Sequence, residues 1–124
     1  GIMMLTALAK GLENETISLQ KIAKDNNISF AFLQKIARLL NQAGLIKASR
    51  GKFGGYLLAK TANELSIKEI IEALEGEIAI VPCLKKSQPE NCKHSSYCKI
   101  RHSFQKINQE IQSHILTKKL SYFI

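Results

Sequence analysis

The sequence lacks any apolar run that approaches the length of a membrane span, and no stretch resembles a signal peptide. It also lacks a catalytic constellation: we find no Ser/His/Asp arrangement, no glycine-rich phosphate loop and no paired carboxylates in a cleft-like context. These absences predict a cytoplasmic protein that makes no membrane contact and is not an enzyme. A chain of 124 residues provides one modest core and at most an extension.

Acidic residues are scarce as well, with 10 Asp and Glu against 18 Lys and Arg, for a net charge of +8. The excess is uneven, because residues 61–80 hold one Lys against five Glu while the blocks on either side are basic. Two basic blocks around an acidic one favour a polyanionic partner such as nucleic acid. Charge alone does not decide this, since many basic chains have no such partner.

The stretch 29–60 contains the clearest pattern. Ser29 is placed to cap a helix, and Gly44 supplies the left-handed residue that ends it. We expect at least one of Phe30 and Phe32 to pack in the core. The apolar positions at helical spacing are Leu33, Ile36, Ala37 and Leu40.

A change of period follows this helix. Residues 45–49 and 56–59 read as two short strands around the basic, glycine-tipped turn 50–55. A shorter helix, capped by Ser18 and ending near Asp25, precedes residue 29 across a polar turn. The sequence therefore predicts a mainly α fold with a small β-hairpin, a winged helix-turn-helix. An ordinary helical hairpin is the alternative, but it leaves the basic hairpin unexplained.

In a winged helix-turn-helix the second helix enters the DNA major groove by its N-terminal end. Gln34 is placed to read a base edge, and Lys35 and Arg38 to hold phosphates. Arg50, at the edge of the wing, is a natural minor-groove probe. The simpler interpretation of the wing cations is a solvated, charged turn. The candidate DNA contacts are Ser29, Gln34, Lys35, Arg38, Arg50 and Lys52.

The remainder of the chain divides into three further stretches. Ser66 and Glu69 have the spacing of a capping box, and the helix that they begin should end at Gly76 with its acidic face away from DNA. Residues 78–97 have no periodicity and hold both prolines. A long helix is then predicted from Cys98 to about Lys119. We expect a DNA-binding domain at 1–77, a cysteine-bearing loop at 78–97 and a dimerisation helix with its tail at 98–124.

The predicted long helix carries an apolar seam that no second long helix in this chain is available to cover. A second copy of the same helix is the simplest partner. The resulting homodimer would match the palindromic sites that helix-turn-helix proteins bind. The seam consists of Ile100, Phe104, Ile107 and Ile111.

Three cysteines, Cys83, Cys92 and Cys98, lie in and beside the loop with the spacing C-x8-C-x5-C. An odd number in a cytosolic protein favours metal or redox chemistry over a structural disulfide. The spacing is not the paired C-x2-C of a zinc ribbon, whereas thiolates this far apart can reach the corners of an iron–sulfur cluster. Structural zinc and three unrelated thiols are the alternatives. His94 and His102 are candidates for a fourth ligand.

Together these residues resemble the IscR- and NsrR-type winged-helix iron–sulfur regulators, over nearly the whole chain. The sharpest matches are 50–51 and 54–58 in the wing and the three cysteines. The run 98–109 is similar to the branch that regulates the SUF iron–sulfur assembly operon. One departure is clear: the IscR branch places a histidine ligand three residues after its last cysteine, where this chain has Arg101, followed by His102.

The resemblance implies a homodimeric transcription factor that binds palindromic double-stranded DNA and carries one cluster per subunit, [2Fe–2S] more often than [4Fe–4S]. Cluster occupancy would set DNA affinity. The matching positions make Ser29, Gln34 and Arg50 DNA contacts and the cysteines cluster ligands. A fourth ligand would then be His102, His94 or a group from an N-terminal segment, with residues before Gly1 included. Two alternatives remain, a zinc-stabilised DNA-binding regulator and a nitric-oxide or redox-sensing repressor of the same family.

Overall fold

The computed structural model describes residues 1–11, 15–87 and 92–124. Part of the polar connector at 13–16, and Pro89, lie outside the described residues. Within these ranges no helix is long and apolar enough to cross a membrane. The elements are α1 (Ile2–Ala9), α2 (Leu19–Asp25), α3 (Phe30–Gln42), β1 (Ile46–Ser49), β2 (Gly55–Leu58), α4 (Ile67–Glu75) and α5 (Arg101–His114), with 3₁₀ turns at Pro82–Leu84 and Leu120–Phe123.

The two helices of the helix-turn-helix begin at the predicted caps. The Ser18 hydroxyl oxygen accepts a hydrogen bond from the Lys21 backbone N–H at 3.2 Å. The Ser29 hydroxyl oxygen accepts one from the Phe32 N–H at 3.4 Å. Each cap satisfies a helical N–H that has no partner within its own helix. The prediction of two capped helices joined by a short turn is confirmed.

The hairpin follows α3 directly. Gly44 ends the helix with φ of 71°, and the Leu45 N–H donates to the Leu40 carbonyl at 2.9 Å. β1 and β2 then pair antiparallel, in a register that places Ile46 opposite Leu58. The predicted mainly helical fold with one small hairpin is therefore confirmed.

The wing is also hydrogen-bonded to the segment that leads into α2. Ile17 and Tyr56 exchange two backbone hydrogen bonds, each 2.9 Å long. This pairing requires glycine at position 55, where a Cβ atom would lie 2.6 Å from the Ile17 carbonyl oxygen. The wing is thus held against the helix-turn-helix at its base.

The core lies between α1, α2, α3, α4 and the hairpin. Met4, Leu33, Leu40 and Ile70 are fully buried within it. α4 begins at the predicted capping box, in which the Ser66 hydroxyl accepts from the Glu69 N–H at 3.2 Å and the Glu69 carboxylate accepts from the Ser66 N–H at 2.9 Å. These hydrogen bonds from Ser66 lower the pKa of Glu69 to about 2.

The C-terminal segment returns to this core. The predicted helix from Cys98 to Lys119 is wrong at both ends, because α5 spans Arg101–His114 and the chain then turns back. Leu116 and Leu120 are buried, and the Leu120 N–H donates to the Leu65 carbonyl at 2.8 Å. Burial of these two leucines explains why the helix stops early. The division at residues 77 and 97 stays a prediction.

Candidate nucleic-acid interface and cysteine region

All the residues predicted to contact DNA lie on α3, at its cap or in the wing, and all are exposed. On α3, Gln34, Lys35 and Arg38 lie on the face opposite the buried positions. The Ser29 hydroxyl oxygen is used as the helix cap, yet its O–H remains a donor for a phosphate. In the wing, Arg50 and Lys52 flank Gly51, at the exposed end of the hairpin.

The cations of this surface are not neutralised by the ion pairs that the described ranges contain. Those pairs lie elsewhere, on α2 and around the acidic α4. Around α4, Glu69 and Glu72 are each paired with a lysine. The pairs are Lys21–Asp25 at 2.9 Å, Lys60–Glu69 at 3.2 Å and Lys68–Glu72 at 3.9 Å.

Two aromatic side chains at the start of α3 also face solvent. Phe30 is 38% exposed and Phe32 is 55% exposed. The expectation that at least one of them packs in the core is wrong. Leu33, Ala37 and Leu40 already fill the buried face of α3, so the first turn presents its rings outward.

The wing tip contains a residue that sequence reasoning passed over. Phe53 is 85% exposed, and the Lys52 Nζ lies 5.9 Å from the centre of its ring. The Thr16 hydroxyl donates to the Phe53 carbonyl oxygen at 2.6 Å, which ties the tip to the segment before α2. An aromatic ring inside a polar, glycine-rich turn was the available signal.

The cysteine region is built differently. Cys83 lies in the 3₁₀ turn Pro82–Leu84, and all three cysteines are free and half-buried. In the part of the chain that the structure describes, no three His, Cys, Asp or Glu side chains are gathered where a metal ion could bind. The donor types suit an iron–sulfur cluster, but as placed the described donors are not gathered as either a cluster or a closed zinc site requires.

Arg101 connects the cysteine-bearing segments. Its Nη1 donates to the Ser95 carbonyl at 3.3 Å and its Nη2 approaches the Cys83 carbonyl at 3.5 Å. The guanidinium fork therefore joins the turn that contains Cys83 to the stretch between Cys92 and Cys98. The residue that replaces a histidine ligand in the resemblance thus has a structural role here. Sequence reasoning noticed it only as a departure.

The two histidines predicted as a fourth ligand have different surroundings. His94 Nδ1 lies 2.5 Å from the Tyr97 hydroxyl, with the two rings edge to face. One nitrogen of His94 is therefore already engaged. His102 is exposed in the first turn of α5. The structure does not bring either histidine into a metal-binding group with the cysteines among the described residues.

Polar side chains of α5 hold the segment that precedes Cys83. The Asn108 Oδ1 accepts from the Ile80 N–H at 3.1 Å, and the Gln112 Nε2 donates to the Ile78 carbonyl at 3.2 Å. The Glu77 carboxylate accepts from the Lys86 N–H at 2.6 Å and from the Ser87 N–H, and these hydrogen bonds lower the pKa of Glu77. Asn108 and Gln112 therefore attach this segment to α5 through its backbone.

The apolar seam of α5 is partly open to solvent. Ile100 is 60% exposed and Ile107 is 46% exposed, while Phe104 and Ile111 are half-buried. The described residues provide no second long helix that covers this seam.

A helix whose exposed face carries Lys35 and Arg38, followed by a basic wing fixed to the helix-turn-helix, defines a winged-helix DNA-binding regulator of transcription. Comparison with known proteins agrees and specifies the family. The chain belongs to the Rrf2 family, described as iron-dependent transcriptional regulators, whose model matches residues 1–124.

Relatives of known name support this assignment. The chain is 33% identical over 107 residues to the HTH-type transcriptional regulator CymR of Bacillus subtilis, covering 86% of this chain and 76% of that protein. It is 42% identical over 72 residues to the regulator IscR of Cereibacter sphaeroides, covering 58% of this chain and 46% of that protein. The solved structure of CymR, called the global cysteine regulator of B. subtilis, has a TM-score of 0.76 and 28% identity, and covers 97% of this chain and 86% of that chain. The chain is a regulator and not an enzyme.

Proposed function

We propose that this chain binds a palindromic operator as a homodimer, and that the state of Cys83, Cys92 and Cys98 sets its affinity for DNA. The observation that carries the proposal is the exposed, cationic surface formed by α3 and the wing. The state in question is the presence of an iron–sulfur cluster, and the regulated genes are those of iron–sulfur assembly of the SUF type. [2Fe–2S] is the form that we propose in preference to [4Fe–4S].

The DNA contacts follow from the surface. Gln34 faces a base edge in the major groove, while Lys35 and Arg38 hold the phosphates beside it. Arg50 enters the adjacent minor groove, because the wing is fixed to the segment that leads into α2. Each phosphate contact releases counterions, so affinity falls steeply as salt rises.

The contact model is tested with a duplex selected by the protein from a random pool. Replacement of Arg50 by Ala should weaken binding by roughly 1–3 kcal/mol. Lys106→Ala, an exposed cation on α5, is the matched control and should bind as the wild type does. An affinity that is flat from low to high salt, or an unaltered Arg50→Ala variant, would contradict this use of the surface.

The dimer follows from the open seam of α5. A second copy of α5 would cover Ile100 and Ile107 and set two α3 helices at half-sites about 34 Å apart. Ile107→Glu should give monomers in sedimentation, because a charge in the seam cannot be desolvated cheaply. Gln109→Glu, exposed on the same helix, is the control. A dimeric Ile107→Glu variant would place the interface elsewhere.

The sensing role of the cysteine region rests on its attachment to α5. Arg101, Asn108 and Gln112 of α5 bind the backbone around Cys83, so a rearrangement of the cysteines would displace α5 and with it the spacing of the two α3 helices. A cluster would be held by the three thiolates, with the fourth ligand from outside this set. Because the thiols are not gathered as placed, binding would require that rearrangement.

Anaerobic incubation with iron and sulfide, followed by visible spectroscopy, tests this. Cys92→Ala should abolish the visible bands, and His102→Ala should keep them. Loss of the bands in His102→Ala, with circular dichroism unchanged, would make His102 the fourth ligand. If the wild type shows no visible bands, the proposal of a cluster is overturned. Bound zinc in their place would identify the zinc-stabilised alternative.

A second candidate is thiol chemistry without a metal. It is favoured by the three free, half-buried thiols and by the absence of a gathered metal-binding group in the described ranges. In this case oxidation of a cysteine pair, with two electrons passing to a peroxide, would alter DNA affinity. Titration of thiols before and after peroxide, in protein free of iron and zinc, distinguishes it from the cluster.

A further inference from the structure

Phe53 is the most exposed large apolar side chain among the described residues, at 85%. The core does not use it, since the partly buried residues that pack against the core include Tyr56 and Leu58 from the hairpin but not Phe53. An isolated apolar side chain at a surface is ordinary. This ring, however, lies at the tip of an element that we propose to contact DNA.

The tip is held in place at several points. The Phe53 carbonyl accepts from the Thr16 hydroxyl at 2.6 Å, and the Gly54 N–H donates to the Gly51 carbonyl at 2.9 Å. The paired hydrogen bonds between Ile17 and Tyr56 fix the base of β2. The ring is therefore presented by a hairpin attached to the helix-turn-helix, and its place relative to α3 is set before any DNA arrives.

The neighbours of the ring indicate what it meets. Arg50 and Lys52 precede Phe53 in the same turn, on either side of Gly51, and the Lys52 Nζ is 5.9 Å from the ring centre. Cations alone would be sufficient to hold phosphates. An apolar ring among them adds nothing to a phosphate contact, but it suits the interior of a groove, where apolar wedges enter between base steps and kink the duplex.

We propose that Phe53 inserts from the wing into the minor groove, partly unstacks a base step beside each half-site and bends the operator. This inference rests on the proposed contact of the wing with DNA and extends it. Pyrimidine–purine steps unstack most easily, so Phe53 would give a sequence preference at positions that no hydrogen bond reads. Phe30 and Phe32 cannot supply this effect, because α3 lies in the major groove.

The chain contains no tryptophan, so Phe53→Trp would be its sole indole fluorophore. On the selected duplex, stacking against bases should quench the Phe53→Trp emission several-fold. Phe123→Trp, which replaces a half-exposed ring at the C-terminal 3₁₀ turn, is the matched control and should be unchanged. End-to-end energy transfer on the same duplex should show a bend when the wild type binds. Phe53→Leu should keep most of the bend, and Phe53→Ala should keep little of it.

We expect Phe53→Ala to bind about tenfold more weakly at the selected site and to lose the preference for a pyrimidine–purine step. A Phe53→Ala variant that binds and bends as the wild type does, while Arg50→Ala is weakened, would overturn the wedge and leave the wing contact intact. Unaltered binding in both variants would overturn the wedge together with the proposed contact. Unquenched Phe53→Trp on fully bound duplex would also overturn it, by placing the ring outside the base stack.

Discussion

The winged-helix body and the region of the cysteines and α5 differ in what holds them together. In the described chain every buried apolar side chain lies in residues 4–70 or at Leu116 and Leu120, which form the winged-helix body. The described residues of 77–114, which include the cysteines and α5, are half-buried or exposed. Arg101 and Gln112 donate hydrogen bonds to backbone carbonyls of this stretch, and Asn108 accepts one from a backbone N–H. The first half is determined by its own core. Among its described residues, the second has no buried apolar side chain.

This difference matters for regulation. A region with few buried apolar contacts can change its arrangement at little cost to the global stability of the protein. The surface that we propose to contact DNA lies on the winged-helix body, which contains the buried core. Substitutions that change the stability of one half and leave that of the other unchanged therefore test this difference directly.

The largest effect is expected in the core of the winged-helix body. Leu120 is fully buried, so Leu120→Ala should lower the free energy of unfolding by about 3 kcal/mol. Ile107→Ala, at a side chain that is 46% exposed, should cost less than about 1 kcal/mol at protein concentrations that favour monomers. Urea denaturation measures both. Equal losses would show that α5 is as much a part of the core as residue 120.

A smaller loss is expected at the junction of the wing with the helix-turn-helix. Gly55→Ala places a Cβ atom 2.6 Å from the Ile17 carbonyl oxygen, so the paired backbone bonds must open. We expect about 2 kcal/mol of destabilisation together with weaker DNA binding. Ser49→Ala, exposed in the same hairpin, is the control for thermal unfolding and binding. A Gly55→Ala protein with unchanged stability would mean that the wing moves freely.

Acid should weaken the winged-helix body by roughly 1 kcal/mol through Glu69. The pKa of Glu69 is about 2 in the folded protein, below its ordinary value of 4.5, because Ser66 donates to its carboxylate. The stabilisation is thus complete above about pH 4.5 and is lost as the pH falls towards 2. Glu69→Gln should remove part of this acid-dependent loss of stability, while Glu72→Gln should keep it. The rest of the loss comes from Glu77 and from Glu64, whose pKa is lowered by hydrogen bonds from Thr61. A Glu69→Gln protein with the wild-type acid profile would count against the capping box.

The smallest change in stability, and a distinct chemical effect, is expected at Arg101. Arg101→Ala should alter the free energy of unfolding by less than about 0.5 kcal/mol, since its partners are carbonyls outside the core. It should raise the rate at which Cys83 is alkylated, because the turn that holds it is released. Arg101→Lys should restore part of the protection, and Lys99→Ala should leave the rate unchanged. An unaltered rate in Arg101→Ala would remove the proposed connection.

The sequence predicted those parts of the structure that depend on local chemistry. The caps at Ser18, Ser29 and Ser66 and the glycine at 44 are set by neighbours within a few residues, and each lies where the pattern placed it. The outward rings of Phe30 and Phe32 depend on how much of α3 the core can cover, which periodicity does not specify.

Other features depend on distant segments. The end of α5 at His114 follows from backbone hydrogen bonds that Leu116 and Leu120 make with Lys68 and Leu65, at the start of α4 and just before it. The role of Arg101 requires knowing that the Cys83 turn lies beside Ser95. The six predicted DNA contacts are exposed as expected, while their use on DNA stays a prediction, as does the cysteine ligand set.

The C-terminal segment pairs with residues 62–68, so the two ends of the intervening chain are hydrogen-bonded to each other. The Ser121 N–H donates to the Ala62 carbonyl at 3.1 Å, and the Ile67 N–H donates to the Lys118 carbonyl at 2.8 Å. A protease that cuts within the cysteine loop would therefore leave two fragments that stay joined through the core. The nicked protein should elute as one species and keep the α3 and wing surface that we propose to contact DNA, while the chain between α4 and α5 is cut.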